Sequence, residues 1–199
     1  MTAINPPLPG AMAREVKRKL FHYLSLVYAA GYVVMGLSVL KILIPVLLIE
    51  ASVEFGRFLF PEANRKLMGL FGGIHREEES HRASGIFWTL LGSTLTVALF
   101  RDRAVVLCSM GYLVFGDSAA ALAGVKWGRR QILPGKSVEG SAAFFIASLA
   151  VGLYFFPPPA ALAGALLATC VEMLPLPWND NFWVPLVSAV FLSLLKNAF

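Results

Sequence analysis

The run GDSAAALAGVKWGRRQILPGKSVEGS, residues 116–141, sets one acid, Asp117, in apolar sequence ahead of a basic loop bordered by small residues. Lys126, Arg129, Arg130 and Lys136 follow it, then Glu139. This is chemistry suited to a polyphosphate: cations neutralise the phosphate oxygens, while one or two carboxylates hold a Mg2+ ion that bridges them. Gly135, Lys136 and Ser137 imitate the end of a P-loop, but the glycine needed five positions earlier is Arg130 and no parallel strand precedes the run, so that class is excluded. The small residues from Gly116 to Gly124 let a helix or a ligand approach the backbone closely, and a helix opening at Glu139 and Gly140 would offer free amides to phosphate. The plainer alternatives are a buried ion pair for Asp117 and helix packing for AAALAG.

Three further groups share the same chemistry. Glu15, Arg18, Lys19 and His22 stand at i, i+3, i+4 and i+7, so a helix presents them on one face as a cationic ridge; the alternative is a snorkelling anchor at the membrane surface. Glu50, Glu54 and Arg57 form a stripe at i, i+4 and i+7 within IPVLLIEASVEFGRFLF. Charges inside a bilayer cost about 2.5–3.5 kcal/mol each on insertion scales, so the stripe must face protein or a watery cavity. A structural Glu54–Arg57 pair is the bland reading, and Glu50, with no obvious local partner, is the better functional candidate. Glu172 closes one apolar run, and Asp180 with Asn181 opens the next, giving more oxygen ligands than one helix cap requires. HREEESHRASG reads instead as a solvated turn, because His75 and His81 share no helical face and the acids lack metal-ligand spacing.

Apolar segments must position these groups. The chain of 199 residues is 57% hydrophobic and 15% charged, with a mean hydropathy of +0.69. Crossing the hydrocarbon takes about 17–25 apolar residues. Seven runs are expected to do so, near 20–37, 42–60, 83–100, 104–124, 140–156, 159–175 and 182–198. If the N-terminus is cytoplasmic, only Lys41, Arg101, Arg103 and Lys196 fall outside, and 13 of the 17 basic residues lie inside. The expected fold is therefore an all-α polytopic membrane protein with a cytoplasmic N-terminus, one domain over 1–199, and a flexible start over 1–13. The net charge of +5 follows from that sidedness and from anionic lipid or nucleotide contact, with no nucleic-acid partner. No N-terminal stretch reads as a cleaved leader, and Cys108 and Cys170, both in apolar runs, build neither a disulfide framework nor a zinc site.

Taken in order, E-x-x-R-K-x-x-H at Glu15 to His22, the Glu50/Glu54/Arg57 helix, GD-S-AAA-L-A-G at 116–124, G-K-S-x-E-G-S at 135–141, and Glu172 followed by Asp180, Asn181 and Pro185 resemble the CTP-dependent polyprenol kinase family. That family includes dolichol, phytol and farnesol kinases and the yeast-type CTP-dependent diacylglycerol kinases. The resemblance implies transfer of the γ-phosphate of CTP to the hydroxyl of a membrane-embedded alcohol: a polyprenol, a phytol-like isoprenoid or diacylglycerol. It implies a multi-pass protein of the cytoplasmic membrane with its site facing the cytoplasm, and leaves a homodimer open. Asp117, Glu139, Glu172 and Asp180 are the implied metal ligands. The nucleotide falls to Arg18, Lys19, Gly116, Gly124, Arg129, Lys136, Ser137, Glu139 and Gly140, and catalysis to Asp117, His22 and Glu50. Glu15, Glu54, Arg57 and Asn181 complete the polar site. The chain resembles the minimal catalytic part of the longer dolichol kinases. A lipid cytidylyltransferase and a small transporter are the competing classes.

Overall fold

Every apolar run becomes a helix in the computed structural model, which describes residues 10–70 and 81–198. Ala11–Tyr23 forms α1, Leu26–Met35 α2 and, after a 3-10 turn at Gly36–Val39, Leu40–Leu59 α3. Pro61–Leu70 is α4 and Gly85–Leu99 α5. Arg103–Gly111 is α6, and a π-helical turn at Tyr112–Gly116 carries it into Asp117–Trp127, α7. Val138–Phe155, Pro158–Met173 and Asp180–Ala198 are α8, α9 and α10.

Three described segments are both long and apolar enough to cross a membrane: Leu26–Leu59, Arg103–Trp127 and Val138–Phe155. Gly85–Leu99 and Pro158–Met173 are apolar but shorter. The expected first span begins later than 20, because residues 20–23 close the amphipathic α1 and the chain bends at Ser25, whose Oγ donates to the His22 carbonyl at 2.5 Å. Residues 11–13 already belong to α1. The basic loop is not irregular: Gln131–Leu133 (β1) and Lys136–Ser137 (β2) pair as an antiparallel ribbon, a small departure from an all-α chain. Pro134 and Gly135 turn it, and Gly135 takes φ 77°, which suits the glycine position of a type II turn.

α3 shows how the polarity of this fold is distributed. Its buried residues are Leu43, Glu54 and Arg57, while Ile42, Leu48, Ile49, Phe55 and Leu59 are exposed. In water such a helix would be inside out; in hydrocarbon it puts its charges where they can be paired and its apolar side chains where solvent is lipid. This is the surface of a membrane protein.

The helices alternate in direction. The Tyr32 hydroxyl donates to the Arg101 carbonyl at 3.2 Å and Arg103 to the Val33 carbonyl at 3.1 Å, so α2 ends where α6 begins. α3 returns beside α5, with Val39 and Leu43 in one apolar cluster with Val97, and Glu54 accepting from the Ser84 amide at 3.2 Å. Lys196 pairs with Asp102 at that same far end. The opposite end therefore gathers the close of α1, the Glu54/Arg57 end of α3, the start of α7, the ribbon, and the α9–α10 connection. Between the ends, Tyr112, Phe144 and Leu192 pack in a dry core.

Candidate functional site

The α1 face forms as the spacing predicts. Arg18 pairs with Glu15 within the helix, whereas Lys19 reaches across to Asp117 and is only 4% exposed. His22 Nε2 lies 3.6 Å from the same Asp117 oxygen and 3.4 Å from the Leu113 carbonyl. Both neighbours only accept, so Nε2 carries the proton and the lone pair resides on Nδ1. Burial pushes the imidazole below its ordinary value, against the pull of Asp117, so His22 is neutral at physiological pH. Arg18 is also near enough to act electrostatically on Asp117. The π-helical turn sets Asp117 here. At Gly116 an added Cβ would stand 2.7 Å from Ser148 Oγ and 3.0 Å from the Phe144 ring, so the turn lies directly against α8.

The second cluster is built by the ribbon. From β2, Lys136 Nζ donates to Glu172, which is 4% exposed at the end of α9, and to Asp180 Oδ2 at 2.7 Å, at the start of α10. Burial works against the ammonium, but the charges of Asp180 and Glu172 outweigh it and raise its pKa, so Lys136 stays charged. Asp117 is near enough for its charge to act on Glu172, which links the two clusters. The Asn181 amide at the start of α10 donates to Asn179 Oδ1 at 2.9 Å and to Asp180 Oδ1 at 3.1 Å, which leaves Asp180 Oδ2 to Lys136. Capping thus takes one oxygen of Asp180, as the plainer reading of the Asp-Asn pair allowed, and shares it with Asn179, which sequence reasoning did not single out.

The remaining polar residues brace this end. Arg57 donates to Glu54 through Nε at 3.1 Å and Nη2 at 2.8 Å, to Asn64 Oδ1 at 3.0 Å and to the Arg82 carbonyl at 2.6 Å. That hub ties α3 to α4 and to the entry of α5, which is the structural pairing that the stripe allowed. Asn181 Nδ2 donates to the Gly85 carbonyl at 3.2 Å, tying α10 to α5. Sequence reasoning also missed an indole stack: Trp178 lies between Trp88 (5.4 Å, 14°) and Trp183 (5.6 Å, 6°), with the unusual φ of 71°. Trp183 Nε1 bonds the Pro177 carbonyl at 2.6 Å. Together they clasp the loop that carries Glu172 to Asp180.

Other predicted site residues stand differently. Glu139 accepts from the amides of Arg129 (3.1 Å) and Arg130 (3.4 Å), pinning the ribbon's first strand to α8 rather than bonding to either cluster in these contacts. Ser137 caps α8 by accepting from the Gly140 amide at 3.1 Å. Gly124 and Gly140 pack α7 against α8; a Cβ on Gly140 would be 3.0 Å from the Ala120 carbonyl. Glu50 is half-buried on α3, with Tyr28 of α2 within electrostatic reach. His81 is exposed, and His75 with the three acids of HREEESHRASG lies outside the described residues.

Among the described residues no three His, Cys, Asp or Glu side chains gather tightly enough to hold a metal by themselves. Mg2+ asks for less, since it commonly takes one or two protein carboxylates and completes its shell with phosphate and water. Glu172 Oε2 is buried with no hydrogen-bond partner among the described residues, and Asp180 shares Lys136 with it. That oxygen fits a cation.

No protein-family model and no solved structure matches the chain. It is 26% identical over 218 residues to CTP-dependent diacylglycerol kinase 1 of Saccharomyces cerevisiae, covering 93% of this chain and 74% of that protein. The protein of the same name from Eremothecium gossypii is 27% identical over 210 residues, 89% of this chain and 66% of the relative. An uncharacterized protein of Rickettsia prowazekii is 28% identical over 185 residues, 86% and 90% of the two chains. The chain is thus a relative of CTP-dependent lipid kinases along nearly its whole length, which bears out the resemblance carried by its motifs.

Proposed function

We propose that this protein is a multi-pass membrane kinase that moves the γ-phosphate of CTP to the hydroxyl of a lipid alcohol, with its site on the cytoplasmic face. The observation that carries the reading is the meeting, at one end of the helices, of Lys19, Asp117 and His22 with Lys136, Glu172 and Asp180. The likeness to diacylglycerol kinases supports CTP as donor and makes diacylglycerol the first acceptor to test, ahead of polyprenols and phytol-like alcohols. The basic residues at this end support cytoplasmic placement.

Catalysis would rest on positioning and charge neutralisation. Lys136 and Arg18 hold phosphate oxygens; Lys19 keeps Asp117 oriented. Neutral His22, its Nδ1 lone pair available, takes the proton of the lipid hydroxyl as the oxygen attacks the γ-phosphorus. The bond from that phosphorus to the β-phosphate oxygen breaks, and CDP leaves with the bonding electrons. Mg2+, held by Glu172 and Asp180, would neutralise charge on the phosphates. The experiment is a matrix of nucleotides against lipid alcohols on purified protein, with products read by mass spectrometry. CDP plus a lipid monophosphate is the expected result. Pyrophosphate plus a CDP-lipid would instead mark a cytidylyltransferase, and the absence of any transfer would favour a transporter.

A further inference from the structure

Between α2 and α8, floored by α6, runs a groove of about 300 Å³. Leu26 and Ala29 form one wall, Val151 and Tyr154 the other, and Met110 and Gly111 the floor. It is lined by apolar side chains apart from Tyr154, which stands 83% exposed at one edge. Two details relate it to the charged site. Leu26 lies four residues after His22, and Phe115, which also lines the groove, lies two residues before Asp117. Tyr23 meets Phe115 edge-on at 5.9 Å, so aromatic rings stand where groove and charged site adjoin. From Phe115 back to Leu107 the floor helix covers about 12 Å at its usual rise. The walls belong to the helices Leu26–Leu59 and Val138–Phe155, whose length and composition suit lipid surroundings.

We propose that this groove holds one hydrocarbon chain of the acceptor lipid, entering sideways from the bilayer and delivering the hydroxyl to His22 and Asp117. The inference rests on the kinase reading of the same site. A lipid alcohol must present a polar oxygen to a charged site while its tail stays out of water, and an apolar groove lined by Phe115, which meets Tyr23 next to His22, holds the tail on the flank of that site. Gly111 keeps α6 tight against α8, since a Cβ there would stand 2.7 Å from Val151 Cγ1.

The test compares Ala29→Trp, which fills the groove, with Val34→Trp on the same helix, where the side chain is exposed and lines nothing in the groove. Each is assayed with dioleoylglycerol and dihexanoylglycerol at saturating CTP. Ala29→Trp should lower kcat/KM for the long-chain substrate about tenfold or more relative to the short-chain one, as expected for a blocked apolar pocket, with the CTP requirement unchanged and Val34→Trp neutral. Independently, a diazirine at mid-chain of a diacylglycerol analogue should label wild-type protein at Leu26–Ala29 and Met110–Gly111. Equal chain-length profiles for the two variants would overturn the groove assignment. If Ala29→Trp does not fold, labelling confined to other surfaces would do the same. Should the wild type phosphorylate no lipid alcohol, the kinase reading fails, while the labelling still reports whether the groove takes a chain.

Discussion

Asp117→Asn separates a catalytic carboxylate from a structural counter-ion, because the structure supplies both explanations at one atom. The substitution keeps the volume and removes the charge that Lys19 faces in a nearly dry setting. Leaving one member of a buried pair uncompensated costs about 3–5 kcal/mol. For a chain of this size that corresponds to a fall of about 6–20 °C in unfolding midpoint. The double variant Lys19→Met/Asp117→Asn removes both charges, so most of that loss should return. Turnover should not return, since the acid is still missing from the site. Differential scanning fluorimetry in detergent reads the first quantity and CTP-dependent phosphorylation of diacylglycerol the second. Recovery of turnover together with stability in the double variant would reduce Asp117 to a partner for Lys19 and refute its place in the reaction.

The other expectations concern the α1 face, pH and sidedness. Arg18→Lys should insert normally but raise the CTP requirement, and both it and His22→Gln should lose at least about tenfold in kcat/KM, the scale of one hydrogen bond to a charged group. Arg14→Lys, at an exposed position beside that face, should be nearly silent; equal small effects at all three would favour a simple anchor. With its folded pKa depressed below 6.5, His22 makes the unfolded chain bind more protons between that folded value and 6.5, so stability should fall as pH drops through this window. kcat/KM, which follows the folded group, should fall only as pH drops through that depressed folded value at the lower edge of the window, and a flat pH profile that is identical in His22→Gln would count against His22 as base. A single cysteine at position 130, in a chain cleared of Cys108 and Cys170, should be labelled in intact cells only by membrane-permeant reagents; labelling by an impermeant reagent would put the ribbon outside.

Much of the site was legible because it follows helical spacing. Arg18, Lys19 and His22 had to share a face once α1 was a helix, and Glu54 with Arg57 had to pair once their helix was lined by lipid-facing Ile, Leu and Phe. What pairs across the fold was not legible. Nothing local says that Lys19 meets Asp117, 98 residues away, or that Lys136 meets Glu172 and Asp180 rather than Glu139 three positions on. The nearby acid is drawn away by two backbone amides, which a side-chain pattern does not reveal. The π-helical turn was equally silent, since Tyr112–Gly116 reads as ordinary apolar helix and its register follows from packing against Phe144 and Ser148.

The two clusters set opposite charges at their centres, and that bears on how the site would receive its charged substrate. In one, a single carboxylate, Asp117, is faced by Lys19 and His22, with Arg18 within electrostatic reach; in the other, a single ammonium, Lys136, is faced by two carboxylates. Each cluster thus sets an opposite charge beside its buried ion before any ligand arrives, and the Lys136 cluster keeps one carboxylate in excess, with Glu172 Oε2 unpartnered among the described residues. A nucleotide bringing both negative phosphates and Mg2+ would exchange partners within the Lys136 cluster: Glu172 and Asp180 would hold the cation, and Lys136, released from them, would pair with the phosphates. Either component alone would break ion pairs and replace only half of them. On this reasoning CTP and Mg2+ should bind with strong mutual dependence. Isothermal titration of Mg2+ against protein with and without a non-hydrolysable CTP analogue measures that coupling, and it should weaken in Lys136→Met, where no ammonium remains to be exchanged. Equal Mg2+ affinity with and without the nucleotide would refute the exchange.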